Sequence, residues 1–187
     1  MARTPPAPFT PTNLRQTGIT LVELVVCACV LSITAAIATP SVGKLIERQR
    51  AIAANHNLLT HLAQARATAI TRHTPTILCP SSNGSTCNAD TNWGDGWLLF
   101  LDRDGNRQPD HPDDIVLADN LSTSRHLKLT STAGRRQVRY LPDGRSAGTN
   151  LTISICNMKD ELLTAVVVNN TGRARSAHPR TPTACPN

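Results

Sequence analysis

The feature that constrains this chain most is an uncharged apolar stretch close to its N-terminus. From Leu24 to Thr39 the sequence carries no charged residue and is rich in Leu, Val, Ile and Ala. With the residues from Ile19 onward it gives about 20 mostly apolar residues, enough for a helix to cross a hydrocarbon layer of ~30 Å. Residues 19–40 are therefore predicted to form a transmembrane helix, and residues 1–18 a proline-rich leader that precedes the fold.

Two residues give this stretch a more specific character. Gly18 immediately precedes it, and Glu23 places a carboxylate near its start, which is costly in a membrane unless the group has a partner. The pattern resembles the class III leader of type IV pilins and pseudopilins, and Pro40 lies where many pilins carry a helix-kinking proline. The resemblance implies that prepilin peptidase cleaves between Gly18 and Ile19, that the new N-terminus is methylated, and that Glu23 pairs with a neighbouring subunit's amine during assembly. The alternatives are an ordinary secretory signal cut after the apolar stretch and a Glu23 that only snorkels to the headgroups.

A second helical segment follows the apolar one. Residues 41–74 are predicted to be the amphipathic half of the same helix, which bends at Pro40 and stops before Pro75. The whole helix is expected to be roughly 50 residues long. Its apolar stripe is predicted from residues at helical spacings: Leu45, Ile52, Leu59, Leu62, Ala69 and Ile70.

The region 75–187 has the pattern of a β-rich domain. Short apolar segments alternate with turn signals such as Asp104-Gly105 and Pro142-Asp143-Gly144. One helix followed by many short strands predicts an α+β fold, with the helix packed on one face of an antiparallel sheet. The candidate strands are 76–79, 97–101, 115–117, 126–130, 137–141, 151–156 and 164–169.

The six cysteines fall into two groups. Two lie in the apolar stretch and are interpreted as small apolar side chains. The other four lie in the β-rich region and allow three pairings. The short separation of Cys79 and Cys87 favours a disulfide between them, and Cys156 would then join Cys185 and tie down the C-terminal segment, as fits an oxidising compartment. Zinc is the alternative, although neither a C-x-x-C pair nor clustered histidine accompanies these cysteines.

Three segments of the β-rich region resemble the GspH/FimT pseudopilins, minor subunits of type II secretion systems and type IV pili. They are residues 96–106, 138–144 and 152–156. The resemblance implies a type IV pilin-like fold, other pilins or pseudopilins as partners, and a single-pass inner-membrane protein with a periplasmic C-terminal domain.

The C-terminal segment is basic. The chain has a net charge of +6, which suits an anionic partner, and from Gly172 onward it contains no acidic residue. Gly172, Arg173 and Arg175 match the Gly-Arg-x-Arg motif of FimT-type minor pilins, so the resemblance implies non-specific binding of extracellular double-stranded DNA during natural transformation. On an extended chain the two arginines point the same way, about 6–7 Å apart. Arg180 and Arg145 are further candidate DNA contacts. With only 3% aromatic residues, base stacking is a poor candidate for the mode of recognition.

A second basic cluster consists of Arg135, Arg136, Arg139 and Arg145. It can extend the DNA-binding surface, and the sequence leaves open whether it shares a face with the C-terminal segment. Two alternatives to DNA binding also stay open: a solvated turn neutralised by charges elsewhere, and a GspH-like structural subunit of a type II secretion pseudopilus without a DNA role.

The sequence does not favour catalysis, a metal or a cofactor. It has no nucleophile elbow, metal-ligand triad or phosphate-binding loop, and His56, His61 and His73 are scattered along the predicted helix. Residues 102–106 have a calcium-loop composition, but the glycine is misplaced and Arg103 and Arg107 intervene, so a turn after a buried strand is the favoured interpretation.

Overall fold

The computed structural model describes residues 18–120 and 125–186, and for residues 37–41 it describes the backbone alone. The chain divides into two units, Met1–Val42 and Gly43–Asn187. The predicted leader, apart from Gly18, lies outside the described residues.

One helix, α1, runs from Leu21 to Arg72 over 52 residues, which confirms the predicted length. Thr20 caps its start, since its Oγ1 accepts a hydrogen bond of 3.3 Å from the Glu23 N–H. The helix ends where His73 takes a φ of 49° before Pro75. The bend at Pro40 stays a prediction.

In the first unit the described side chains from Gly18 to Ala36 are exposed, including the free thiols of Cys27 and Cys29. Within the described residues, no helix meets the combination of length and apolarity expected of a membrane span. The transmembrane role predicted for residues 19–40 is therefore not confirmed.

The part of α1 that lies in the second unit buries a stripe of mostly small residues. Leu62 and Ala69 of the predicted stripe are buried, but Leu45, Ile52 and Ile70 are 42–57% exposed, so this part of the prediction was wrong. The buried positions recur every three or four residues, as one face of a helix requires. They are Ala51, Ala54, Leu58, Leu62, Ala65 and Ala69.

The predicted α+β class, a long helix packed on antiparallel strands, is confirmed. The strands form two four-stranded antiparallel sheets, where the prediction described one sheet. The first has the order β3-β2-β1-β5 and the second β4-β6-β7-β8. All the predicted strands are present. The strand 97–101 has the predicted ends, the others have shifted ends, and β8 was missed. The strands are β1 Thr76–Pro80, β2 Trp97–Leu101, β3 Ile115–Asp119, β4 Leu127–Ser131, β5 Val138–Tyr140, β6 Leu151–Asn157, β7 Leu162–Val168 and β8 Ala174–Ala177, with a 3-10 helix at Pro112–Asp114 before β3.

The main core lies between α1 and both sheets. It combines the helix stripe with Leu78 and Leu99 of the first sheet and Ile153 and Val166 of the second, all fully buried. Every buried apolar residue of the described chain lies between Ala51 and Val168. The unit Gly43–Asn187 therefore holds its own complete core.

Polar contacts fix the helix against each sheet. The Trp97 indole N–H donates a 2.7 Å hydrogen bond to Nδ1 of His61, which links α1 to the first sheet. Buried Asn55 donates from its amide to Thr164 Oγ1 on β7 at 3.2 Å and to Ser176 Oγ on β8 at 2.9 Å. These contacts tie the last strand directly to the helix.

Both disulfides have the pairing favoured by the sequence. Cys79 joins Cys87 across a sequence separation of 8, and Cys156 joins Cys185 across 29. The second bond holds the C-terminal segment along the start of β7, where the Leu162 N–H also donates to the Thr183 carbonyl at 2.9 Å.

Candidate nucleic-acid interface

The Gly-Arg-Ala-Arg segment forms the edge of the second sheet. The segment was not among the predicted strands, but it leads into a strand of its own, β8, which pairs with β7. Ala174 lies opposite Val168, and Ser176 opposite Val166, whose side chains face the core. Because side chains alternate along a strand, Arg175 points to the outer face of the sheet, together with its partner Val167.

Arg173 and Arg175 are both exposed. Within the described ranges 18–120 and 125–186, neither guanidinium group has an ion-pair partner. The backbone of Arg173 is held in place, since its N–H donates to Asn169 Oδ1 at 2.9 Å and its carbonyl accepts from the Asn169 N–H at 3.1 Å. The two charges are thus free to contact a ligand while their backbone is fixed.

Gly172 is required by the turn that precedes β8. Its φ is +79°, and a Cβ at this position would lie 2.1 Å from the carbonyl oxygen of Gly144. A side chain is excluded by both the backbone conformation and this close contact. The glycine of the motif therefore lets the β7–β8 turn lie directly against the turn at residues 141–145.

Arg145 is brought next to the motif by that contact. The Ser146 N–H donates to the Asn170 carbonyl at 3.1 Å, which ties the two turns together. Arg145 is exposed, and its Nε donates to Asp143 Oδ2 at 2.6 Å. The Arg145 backbone N–H and guanidinium, both bound to the Asp143 carboxylate, hold the pKa of Asp143 below its usual range. Arg145 therefore lies beside the motif, but with part of its charge compensated.

Arg180 lies elsewhere. It lines a hollow of about 380 Å³ with Arg48 and Ile52 of α1, Glu161 at the start of β7, and His178. The C-terminal run that contains no acid in the sequence therefore has Glu161 beside it in the structure. This makes Arg180 a weaker candidate for contact with a phosphate than Arg173 or Arg175.

We call the surface formed by Arg173, Arg175 and the adjacent Arg145 the β8 surface. The other arginines of the second cluster are not part of it. Arg139 forms an ion pair of 3.1 Å with the buried Asp102, and Arg135 donates to Ser146 Oγ at 2.7 Å. Together with Arg107 they line a separate hollow. Sequence reasoning missed the association of Arg107 with this cluster, because no local pattern relates residue 107 to residues 135–139.

The remaining predicted site residues lie in the first unit. Gly18 and Ile19 precede α1, and Glu23 lies exposed in its first turn. Within the described residues, no group of three or more His, Cys, Asp or Glu is arranged to hold a metal ion.

The architecture, a long N-terminal helix whose second half packs on antiparallel sheets, is that of the type IV pilin-like subunits. The chain is similar to two crystal structures of the Pseudomonas aeruginosa type IV minor pilin FimU. For one the TM-score is 0.53 at 15% identity, and the match covers 71% of this chain and 98% of FimU. For the other the TM-score is 0.57 at 16% identity, and the match covers 75% of this chain and 98% of FimU. It is also similar to the minor pseudopilin EpsH of the Vibrio cholerae type 2 secretion system, with a TM-score of 0.50, 15% identity, and coverage of 70% of this chain and 98% of EpsH. At these identities the likeness establishes the fold.

The sequence supplies the family. The model of the type II transport protein GspH matches residues 54–172, and the chain belongs to this family. No curated protein sequence matches the chain. The matched segment ends at Gly172, so Arg173 and Arg175 lie just beyond the part of the chain that the family model describes.

Proposed function

We propose that this chain is a minor type IV pilin of the FimT type, which binds extracellular double-stranded DNA for uptake in natural transformation. The observation that carries the proposal is the exposure of Arg173, just before the edge strand β8, and of Arg175, within it. Both lack ion-pair partners in the described chain and have a fixed backbone. A purely structural subunit has no evident need for this arrangement.

The binding mechanism is electrostatic. Arg173 immediately precedes β8, and Arg175 lies within it. On an extended chain, side chains two residues apart place their guanidinium groups about 6–7 Å apart on one face, within reach of a single phosphate backbone. Each neutralised phosphate releases condensed counterions, which provides the affinity and makes it depend on salt. Contacts to phosphate carry no sequence information, so every duplex is bound alike.

The N-terminal residues give the proposed protein its place in a filament. Prepilin peptidase cleaves between Gly18 and Ile19, and the new N-terminal amine is then methylated. Residues 19–40 hold the subunit in the inner membrane before assembly. Glu23 then pairs with the N-terminal amine of a neighbouring pilin. The exposed apolar side chains in this segment, such as Leu21 at 81% and Val22 at 69%, supply the surface for lipid and for neighbouring subunits.

The test uses the fragment 43–187, which holds the complete core and both disulfides. Fluorescence anisotropy with a labelled duplex at low salt is expected to give a dissociation constant of about 1–100 µM. Replacing both Arg173 and Arg175 by Gln should weaken binding to duplexes of different sequence by the same factor.

Arg50→Gln with Arg72→Gln is the matched control. Both residues are exposed on α1 and make no ion pair in the described chain. We call the variant with Arg173→Gln and Arg175→Gln the β8 variant. If the control loses as much affinity for the duplex as the β8 variant, the loss reflects net charge alone, and β8 is not a DNA-binding site.

The second candidate function is that of a GspH-like minor pseudopilin in a type II secretion system. It is favoured by the match to the GspH family model and by the likeness to EpsH. Absence of duplex binding by the wild-type fragment at low salt would leave this structural role as the account of the protein.

A further inference from the structure

A second basic surface lies apart from β8, in two adjoining hollows of about 380 and 440 Å³. The two share Arg107, Gly134 and Gln137; Arg135 and Arg139 line the first, and Arg136 lines the second. We call the two hollows together the arginine cleft. Among the described residues that line them, none is acidic.

Arg135 is held in the cleft with an unused donor. Its Nη2 donates to Ser146 Oγ and to the Ala147 carbonyl, whereas its Nη1 is buried and has no hydrogen-bond partner in the described chain. Burial of this side chain lowers the pKa of Arg135. A buried donor on a charged group is costly when it is unpaired, so this position calls for an acceptor.

Gly148 lies next to the Arg135 guanidinium group in the wall of the first hollow. A Cβ on Gly148 would lie 3.6 Å from Cζ of Arg135, and the φ of Gly148 is +96°. A side chain at this position would cover the guanidinium group. The absence of a side chain on Gly148 therefore leaves the space next to the guanidinium group unfilled.

Asp102 fixes the opposite wall of the cleft. Its Oδ2 lies 3.1 Å from Arg139 Nε, and its Oδ1 accepts a 3.0 Å hydrogen bond from the Arg107 N–H. This buried carboxylate balances one positive charge, while four arginines line the cleft, so the cleft keeps an excess of positive charge. The acids of the neighbouring loop, Asp104 and Asp110, bind Asn106 instead and line neither hollow.

The cleft and the β8 surface are connected by a short segment. Arg145 is beside the motif turn, and Ala147 and Gly148, two and three residues further on, line the cleft. At about 3.3 Å per residue, the separation between Arg145 and Gly148 is at most ~10 Å. This length is comparable with the widths of the minor and major grooves of B-DNA, about 6 and 12 Å.

We propose that the arginine cleft binds a phosphate group of the same duplex that β8 contacts, on the far side of a groove. A planar guanidinium group binds two phosphate oxygens at once. Arg135 holds such a group fixed in the wall of the cleft, with its buried Nη1 unpaired in the described chain. The inference rests on the proposed DNA binding, and it makes the duplex bridge two surfaces of one subunit.

The test combines a variant with a local probe in the fragment 43–187. Arg107→Gln with Arg136→Gln removes two exposed guanidinium groups whose side chains form no hydrogen bond or ion pair in the described chain, and leaves the held Arg135 and Arg139 in place. Its unfolding midpoint should equal that of the wild type, while the log–log salt dependence of duplex binding should be smaller by about 0.9 for each phosphate that the variant no longer neutralises. In a titration of the wild type with a short duplex, the NMR signals of Gly148, Thr149 and Arg135 Nε–H should shift along with those of β8.

The two proposals fail in different ways. If the duplex shifts the signals of β8 but not those of Gly148, Thr149 and Arg135, and the Arg107→Gln, Arg136→Gln variant keeps the wild-type salt dependence, the cleft proposal is wrong and the β8 proposal stands. If the wild type does not bind the duplex at all, the proposed function itself is wrong.

Discussion

At the scale of single residues, Tyr140 combines complete burial with an unpaired hydroxyl. It lies in the main core, and its Oη has no hydrogen-bond partner within the described residues. Burial raises its pKa to about 12, although the nearby Arg66 and Arg135 lower it in part. The residue is thus a core side chain whose hydroxyl group has no hydrogen-bond partner among the residues that the structure describes.

Tyr140 should ionise unusually late. It is the single tyrosine of the chain, so absorbance of phenolate near 295 nm reports on it alone. The pKa of Tyr140 is higher in the folded chain than in the unfolded chain. Its contribution to the free energy of unfolding is therefore complete below pH 10.0 and is lost as the pH rises toward about 12. Ionisation near pH 10 in the folded fragment would contradict its burial.

Gly172 should tolerate no side chain. Gly172→Ala places a Cβ against the Gly144 carbonyl at φ +79°, and the left-handed conformation alone costs about 1–2 kcal/mol. We expect a loss of at least that much in the free energy of unfolding, measured by urea denaturation, together with weaker duplex binding. Gly134→Ala is the control for the denaturation measurement, since nothing lies within 4 Å of its added Cβ. Equal losses in the free energy of unfolding of the two variants would show that the turn contact is unimportant.

At the scale of secondary-structure elements, the sequence predicts the type of most elements but not all of their packing. The long helix and the strands from β1 to β7 follow from apolar runs and turn signals. β8 was missed because its four residues, Ala174–Ala177, include no large apolar side chain. The strand forms because its backbone pairs with β7 and because Asn55 binds Ser176, and both contacts are long-range.

The buried face of α1 also could not be predicted fully from the sequence. Ala51, Ala54, Ala65 and Ala69 are buried, yet alanine gives a weak hydrophobic signal beside the larger Ile52 and Ile70, which remain exposed. A face of small residues lets a helix approach two sheets closely. The sequence pattern alone does not show which face of α1 is buried, because this depends on the space between the packed elements.

The two disulfides should differ in what their removal costs. In the chain-entropy model the longer loop is stabilised more. With sequence separations of 8 and 29, replacing Cys79 and Cys87 by Ser should cost about 2.6 kcal/mol, and replacing Cys156 and Cys185 about 3.6 kcal/mol. Urea denaturation of the two double variants checks the order, and a larger loss for the shorter loop would contradict the entropic account.

At the scale of the whole molecule, the chain contains two units with different composition. Met1–Val42 carries the leader signature and the apolar half of α1, while Gly43–Asn187 carries the core and both disulfides. The candidate site in the second unit could be found only in part from sequence. Gly172, Arg173 and Arg175 are close together in the chain, whereas the arginine cleft unites residues from four segments and could be found only from the fold.

Processing of the first unit is a test of the pilin assignment that does not depend on DNA. N-terminal sequencing and mass spectrometry of protein extracted from membranes should give a mature chain that starts at Ile19 with a methylated amine. The expectation follows from Gly18 and from Glu23 at the fifth mature position. A mature chain that begins near Thr39 would show an ordinary secretory signal instead.

The measurement that tests the central claim most directly is the salt dependence of duplex binding by the fragment 43–187. If Arg173 and Arg175 each contact one phosphate, replacing both by Gln should reduce the slope of log Kobs against log[salt] by about 1.8. The Arg50→Gln, Arg72→Gln control should keep the wild-type slope. A β8 variant that keeps the wild-type slope and affinity would contradict the account, because the two arginines would then make no contact with DNA.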